Sequence, residues 1–225
     1  MSGAAPMKII SSSNERALRR LVERKDSVDP EIERRVAQIV RGVRRRGDRA
    51  LRDYARRFDQ VSGPIEITSA EIQKGARDAP AAVRRAIKTA ARNIRRVATR
   101  QVPRGWRASV VPGVVVEQRV TALDRVGCYV PGGRYPLPSS LLMTAVPARV
   151  AGVKEVIAAC PRPEPVVMAA ALEAGVSRLY RVGGAHMIAA LAYGTETVPP
   201  VDKIVGPGNA YVAAAKALVA DDCPI

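Results

Sequence analysis

Residues 126–219 alternate a short apolar run with a longer helix-forming run four times over. This rhythm restricts the fold more than any other feature of the sequence. Strand-like runs fall at 126–130, 155–160, 177–182 and 203–205, and helix-like runs at 139–151, 165–174, 185–193 and 209–219. Strands that alternate with helices across short connections cannot pair as hairpins. They pair in parallel, and the crossover helices then cover the sheet. The fold class expected is therefore α/β: an incomplete Rossmann-like parallel sheet with helices on both faces, preceded by a mainly helical N-terminal unit.

The preceding 125 residues read differently. Asp29-Pro30 is a helix start, with a carboxylate cap and proline at the first helical position. Ile32, Val36, Ile39, Val40 and Val43 then lie on one helical face, and the helix is expected to end near Gly47, with Asp48 capping a short second one. Thr68 and Glu71 form a capping box. A long helix over 81–100 sets Val83, Ile87, Ala91 and Ile94 against a cationic face of Arg84, Arg85, Lys88, Arg92, Arg95 and Arg96. A β-like stretch follows, Val110-Val111 and Val114-Val115-Val116, broken by Pro112-Gly113. Charge divides at the same place. Residues 1–125 carry 29 Lys/Arg against 14 Asp/Glu, the remainder 8 against 7, and together they give the net +16. Two units are expected, 1–125, mainly helical, and 126–225, which carries the parallel sheet.

Ligands of open parallel sheets bind at the carboxyl ends of the strands. Three glycine loops stand there: Pro131-Gly132-Gly133-Arg134, Gly183-Gly184-Ala185 and Gly206-Pro207-Gly208-Asn209. Glycine admits close backbone approach, and each loop is expected to feed a helix with unbonded N–H groups suited to phosphate. The sequence holds no GxGxxG and no GxxxxGK[ST], so neither standard phosphate loop is present. His186 is its one histidine, which rules out a multi-histidine metal site within the chain. His186 reads either as a helix-start residue at a pocket edge or as a ligand contact. Glu196 and Asp202 flank a loop without evident pairing. Cys128, Cys160 and Cys223 form no CxxC pair and fit neither a disulfide framework nor a zinc ribbon; Cys128 and Cys160, in apolar strand-like runs, read as small buried hydrophobes. No apolar run approaches the ~18 residues of a membrane span, and a cytoplasmic location is expected.

Four segments carry a resemblance: Val126-Gly127-Cys128-Tyr129-Val130-Pro131-Gly132-Gly133, the stretch 147–153, Val182-Gly183-Gly184-Ala185 with 188–196, and the stretch 201–210. With the looser Arg46-Gly47-Asp48, Ala50-Leu51, Tyr54 and Phe58-Asp59, they make the chain similar to histidinol dehydrogenases. The resemblance implies oxidation of L-histidinol to L-histidine through the aldehyde, with two NAD+ and a bound zinc, in a homodimer of two incomplete Rossmann-like domains. It implies NAD contacts at Tyr129, His186 and Asn209, and makes 1–125 a helical unit with the start of a first Rossmann-like domain and 126–225 a second, NAD-binding one. Tyr129 reads otherwise as a packing residue and Asn209 as a helix cap. His186 departs from the family pattern, which has glutamine there. The family's zinc ligands and its proton-handling Glu-His pair have no counterpart in the sequence. The chain is therefore expected to be a fragment that gives no turnover on its own with histidinol, NAD+ and zinc. Two rival readings stand beside this one. A paralogous alcohol dehydrogenase of the same family fits the 126–210 motifs less well. A nucleic-acid binder is supported by the basic half but opposed by a 4% aromatic content and the lack of a recognition motif.

Overall fold

The computed structural model describes residues 9–22, 29–133 and 135–225. It holds a five-stranded sheet of β1 (Glu66–Ile67), β4 (Arg125–Tyr129), β5 (Glu155–Ala159), β6 (Arg178–Tyr180) and β7 (Lys203–Val205), with a separate hairpin of β2 (Trp106–Val111) and β3 (Val114–Gln118). The strand order is β1-β6-β5-β4-β7. Strands β6, β5, β4 and β7 are parallel, as the βα rhythm requires, while β1 lies antiparallel along the outer side of β6. The short β1 is not legible in the sequence; two residues carry no period. At the other edge, the Ile204 N–H donates to the Pro224 carbonyl at 2.9 Å.

Each expected crossover helix forms: α5 (Pro138–Val150), α6 (Pro165–Ala174), α7 (Gly184–Tyr193) and α8 (Ala210–Val219). The chain runs β4-α5-β5-α6-β6 outward, then returns over the sheet through α7 to place β7 beside β4. Consistent handedness puts α5 and α6 on one face and α7 and α8 on the other. Side-chain alternation agrees. Cys128, Ala158 and Leu179 form one row and join the core under α5 and α6; Tyr129, Ala159 and Tyr180 form the next row and face α7 and α8.

The N-terminal helices complete both layers. Among the described residues, none of helix α1 (Glu15–Val22) joins either core. Helix α2 (Pro30–Tyr54) puts Val36, Val40, Val43 and Leu51 into the core of the α7/α8 face. Helices α3 (Ser69–Asp78) and α4 (Ala81–Gln101) put Ile72, Ala76, Ile87 and Ala91 into the core of the α5/α6 face. Asp29 caps α2 by accepting the Glu31 N–H at 2.9 Å, and Thr68 and Glu71 close the expected capping box on α3. Gly47 leaves helical geometry at φ 50°, where the sequence places a helix end, but the helix resumes at once. Asp48 does not cap it. Its carboxylate accepts from the Thr197 N–H at 3.1 Å and from the Thr197 hydroxyl, and pairs with Arg52. Helix α2 runs into a π-helical turn, Ala55–Asp59, closed by left-handed Gln60. Packing thus crosses the compositional boundary at residue 125. The β2–β3 hairpin is exposed along its whole length.

Candidate dinucleotide site

Strand order reverses between β4 and β7, because α5 leaves β4 on one face and α8 leaves β7 on the other. A crevice at the carboxyl ends of such a pair is the general ligand site of open α/β sheets. The loop after β7 is built onto the end of β4. Gly206 has φ +111°, and a Cβ on it would lie 2.1 Å from the Tyr129 carbonyl oxygen. Only glycine holds both that backbone and that contact. Lys216 pins the turn from α8, donating to the Gly206 carbonyl at 2.6 Å; burial holds its ammonium pKa below the ordinary lysine value. The turn then exposes residues 207–210. Asn209 is the N-cap of α8, its Oδ1 accepting the Val212 N–H at 3.1 Å. Its Nδ2 amide group and the first α8 N–H groups, at Ala210 and Tyr211, donate to no side chain among the described residues.

The other two loops differ from expectation. Gly183 and Gly184 do open α7, but their amides are not free. The Gly183 N–H donates to Asp59 Oδ2 at 3.2 Å, and the Gly184 N–H to the Tyr129 hydroxyl at 2.9 Å. The Pro131-Gly132-Gly133 loop does not run directly into its helix, which starts only at Pro138. Its Arg134 lies outside the described residues. Gly132 and Gly183 both close on the ring of Pro161, which follows β5; a Cβ would stand 2.4 Å and 2.7 Å from its Cγ. These glycines let three strand ends meet.

Tyr129 and His186 lie beneath this surface. Tyr129 is 3% exposed, and burial pushes its hydroxyl pKa up, so it stays neutral. His186 is 1% exposed. Its Nε2 lies 2.9 Å from Asp59 Oδ2, and its ring sits against Tyr54 and Phe58. The π-helical turn aims Asp59 at the Gly183 amide and His186 together. A second clamp works alongside: Asp48 with Thr197, and Glu196 Oε2 accepting the Asp48 N–H at 3.0 Å. Glu196 and Asp202 therefore do not face each other. Asp202 instead accepts the Arg125 N–H at 2.7 Å, at the opposite end of the strands. Asp59, Thr197 and Pro161 had no role in the sequence reading. Phe58-Asp59 stood among the quoted motifs, but nothing in the residues named its partner.

The Histidinol dehydrogenase family model matches residues 22–225. The chain belongs to the histidinol dehydrogenase family. It is 47% identical over 210 residues to the histidinol dehydrogenase of Methylococcus capsulatus, covering 90% of this chain and 48% of that protein. The Nitrosomonas europaea enzyme is 48% identical over 198 residues, covering 84% and 46%. The crystal structure of histidinol dehydrogenase from Elizabethkingia anophelis superposes with a TM-score of 0.83 at 30% identity, over 90% of this chain and 48% of that one. The chain spans about half the length of the curated relatives it matches. The family is one of oxidoreductases acting on a small molecule. None of the described helices is long and apolar enough to cross a membrane.

NAD and zinc, which the resemblance implies, fit the described residues differently. The exposed Gly206–Asn209 turn, opening a helix at the strand-order reversal, suits a dinucleotide phosphate. Zinc does not fit. Among the described residues no three His, Cys, Asp or Glu cluster, His186 is committed to Asp59, and the three cysteines are buried apart.

Proposed function

We propose that this chain carries the dinucleotide-binding part of an NAD-dependent dehydrogenase that oxidises L-histidinol to L-histidine through the aldehyde, in histidine biosynthesis. The carrying observation is the exposed Asn209 turn at the β4/β7 reversal. It is supported by the family match and by relatives whose names specify histidinol rather than another alcohol. In this reading NAD+ supplies the hydride acceptor. Asn209 contacts it through the Nδ2 amide group left over from capping. Tyr129 and His186 reach it at the floor of the crevice, where the Tyr129 hydroxyl accepts the Gly184 N–H and His186 pairs with Asp59, the acceptor of the Gly183 N–H. We further propose a cytoplasmic homodimer, by the same resemblance. Zinc has no step in this reading, since the described residues gather no ligand set for it. A nucleic-acid function is less favoured than the dehydrogenase reading.

Titration calorimetry of the chain with NAD+ tests the proposal without depending on turnover. Saturable one-to-one binding is expected. Asn209→Ala should weaken it about tenfold, the worth of one or two lost hydrogen bonds. An unchanged affinity in that variant, or no saturable binding to the folded chain, overturns the assignment.

A further inference from the structure

Between Asp78 and Glu117 the sequence holds nine Lys/Arg and no carboxylate. Seven of the nine lie on α4, and at 100° per residue Arg84, Arg85, Lys88, Arg92, Arg95, Arg96 and Arg100 fall within an arc of about 160°. A solvated helix face ordinarily mixes signs along its length; this one does not. Its first half borders a cavity of about 680 Å³ between α3, α4 and α6. Arg77, Arg84, Arg85 and Lys88 line it, against one carboxylate, Glu173, and its floor includes the buried Ala76, Ile87 and Ala169.

We infer that this cavity is a second ligand site, one for an oligophosphate-bearing small molecule of the nucleoside di- or triphosphate class. Three observations carry it. First, the cavity, though open to solvent on one side, has the volume of a small-molecule site. Second, among the described residues none of the four cations has a carboxylate oxygen within 4.0 Å. Gathering like charges without partners is unfavourable, and an anion of several charges removes the repulsion. Third, one guanidinium is already positioned. Arg84 Nη1 donates to the Arg77 carbonyl near the end of α3, which ties α4 to α3 across the cavity. Arginines held this way suit phosphate oxygens, and the apolar floor suits a base. The cavity lies on the α5/α6 face of the sheet, while α8 and the Asn209 turn lie on the other. The inference therefore does not depend on the NAD+ assignment.

Calorimetry of the full chain near physiological salt, with inorganic triphosphate, ATP and AMP as probes, tests it. Triphosphate and ATP should bind one-to-one, and AMP at least about tenfold more weakly, since it brings fewer charge-assisted bonds. ATP tighter than triphosphate identifies a nucleotide site; equal affinities identify a site for the phosphate chain alone. The double variant Arg85→Gln/Lys88→Gln, and separately Arg77→Gln on α3, should each cost about tenfold. Arg95→Gln/Arg96→Gln removes the same charge from the same helix outside the cavity and should change affinity less than about twofold. The inference fails if triphosphate does not saturate, or if the two double variants weaken it equally. It fails if saturating NAD+ or Asn209→Ala abolishes triphosphate binding. It fails too if single-stranded RNA binds more tightly than ATP, with equal sensitivity to both double variants.

Discussion

Asp59 shows how much rests on one side chain. Its carboxylate is 9% exposed and serves two partners, the Gly183 N–H and His186 Nε2. Removing it leaves a buried amide and a buried ring nitrogen without an acceptor or donor. Leaving such groups unsatisfied costs more than the bonds are worth when made. Asp59→Ala is expected to lower stability by about 1–3 kcal/mol in urea unfolding, and Asp59→Asn, which keeps one acceptor, by less. A loss under about 0.5 kcal/mol for the alanine variant would show that water satisfies the pair instead. The cysteines illustrate the opposite, residues with no polar task. Burial pushes the thiols up, Cys128 to about 11 and Cys160 to about 12, so neither is a thiolate near neutral pH. The expectation that they are small buried hydrophobes agrees with exposures of 0% and 3%.

At the scale of the element, strand-to-helix turns decide more than helix propensity does. Gly206 and Gly113 both have positive φ, at +111° and +84°. A Cβ on Gly113, in the exposed β2–β3 turn, would meet nothing within 4 Å, while one on Gly206 would strike the Tyr129 carbonyl. The pair separates backbone strain from steric conflict. Gly113→Ala should cost about 1 kcal/mol, and Gly206→Ala about 2–5 kcal/mol with loss of NAD+ binding. Equal losses in thermal unfolding would contradict this account of the turn. In the sequence the two glycines look alike, each beside a proline. The repeated βα pattern makes the four crossover units legible, because short apolar runs and helix-forming runs alternate four times in succession. It did not reveal β1, or that Asp48 would turn from its own helix to Thr197. Both depend on partners more than 100 residues away.

At the scale of the molecule, the two sheet faces are covered from both parts of the chain. Helix α2 packs with α7 and α8, and α3 and α4 pack with α5 and α6. Neither face closes without residues 30–101. A chain limited to 126–225 would expose the apolar surface those helices cover and would lose several kcal/mol of burial, against a net stability of only about 5–15 kcal/mol for a domain. We expect it to show no cooperative unfolding transition by circular dichroism. The 225-residue chain should instead unfold in one transition, reported equally by the ultraviolet absorbance of the buried Tyr129 and Tyr180 and by helix content. A cooperative transition in the 126–225 piece would mean that the second unit is independent.

What the sequence alone determined was local or periodic: the βα rhythm, the parallel sheet it forces, the caps at Asp29 and Thr68, and the motifs that mark the family. Each depends on neighbours within a few residues, or on repetition that survives without coordinates. It also marked the Gly206–Asn209 turn, though only as one of three glycine loops between strand and helix, a pattern that steric needs alone produce as well. Only the tertiary structure decided which amides remain free. The sequence offered three glycine loops as equivalents. Folding brings Asp59 and the Tyr129 hydroxyl to the Gly183–Gly184 pair and satisfies it, and leaves the Asn209 turn open to solvent. A hydrogen bond made across more than 120 residues leaves no period and no spacing in the chain. It exists only once the sheet has set its two ends side by side.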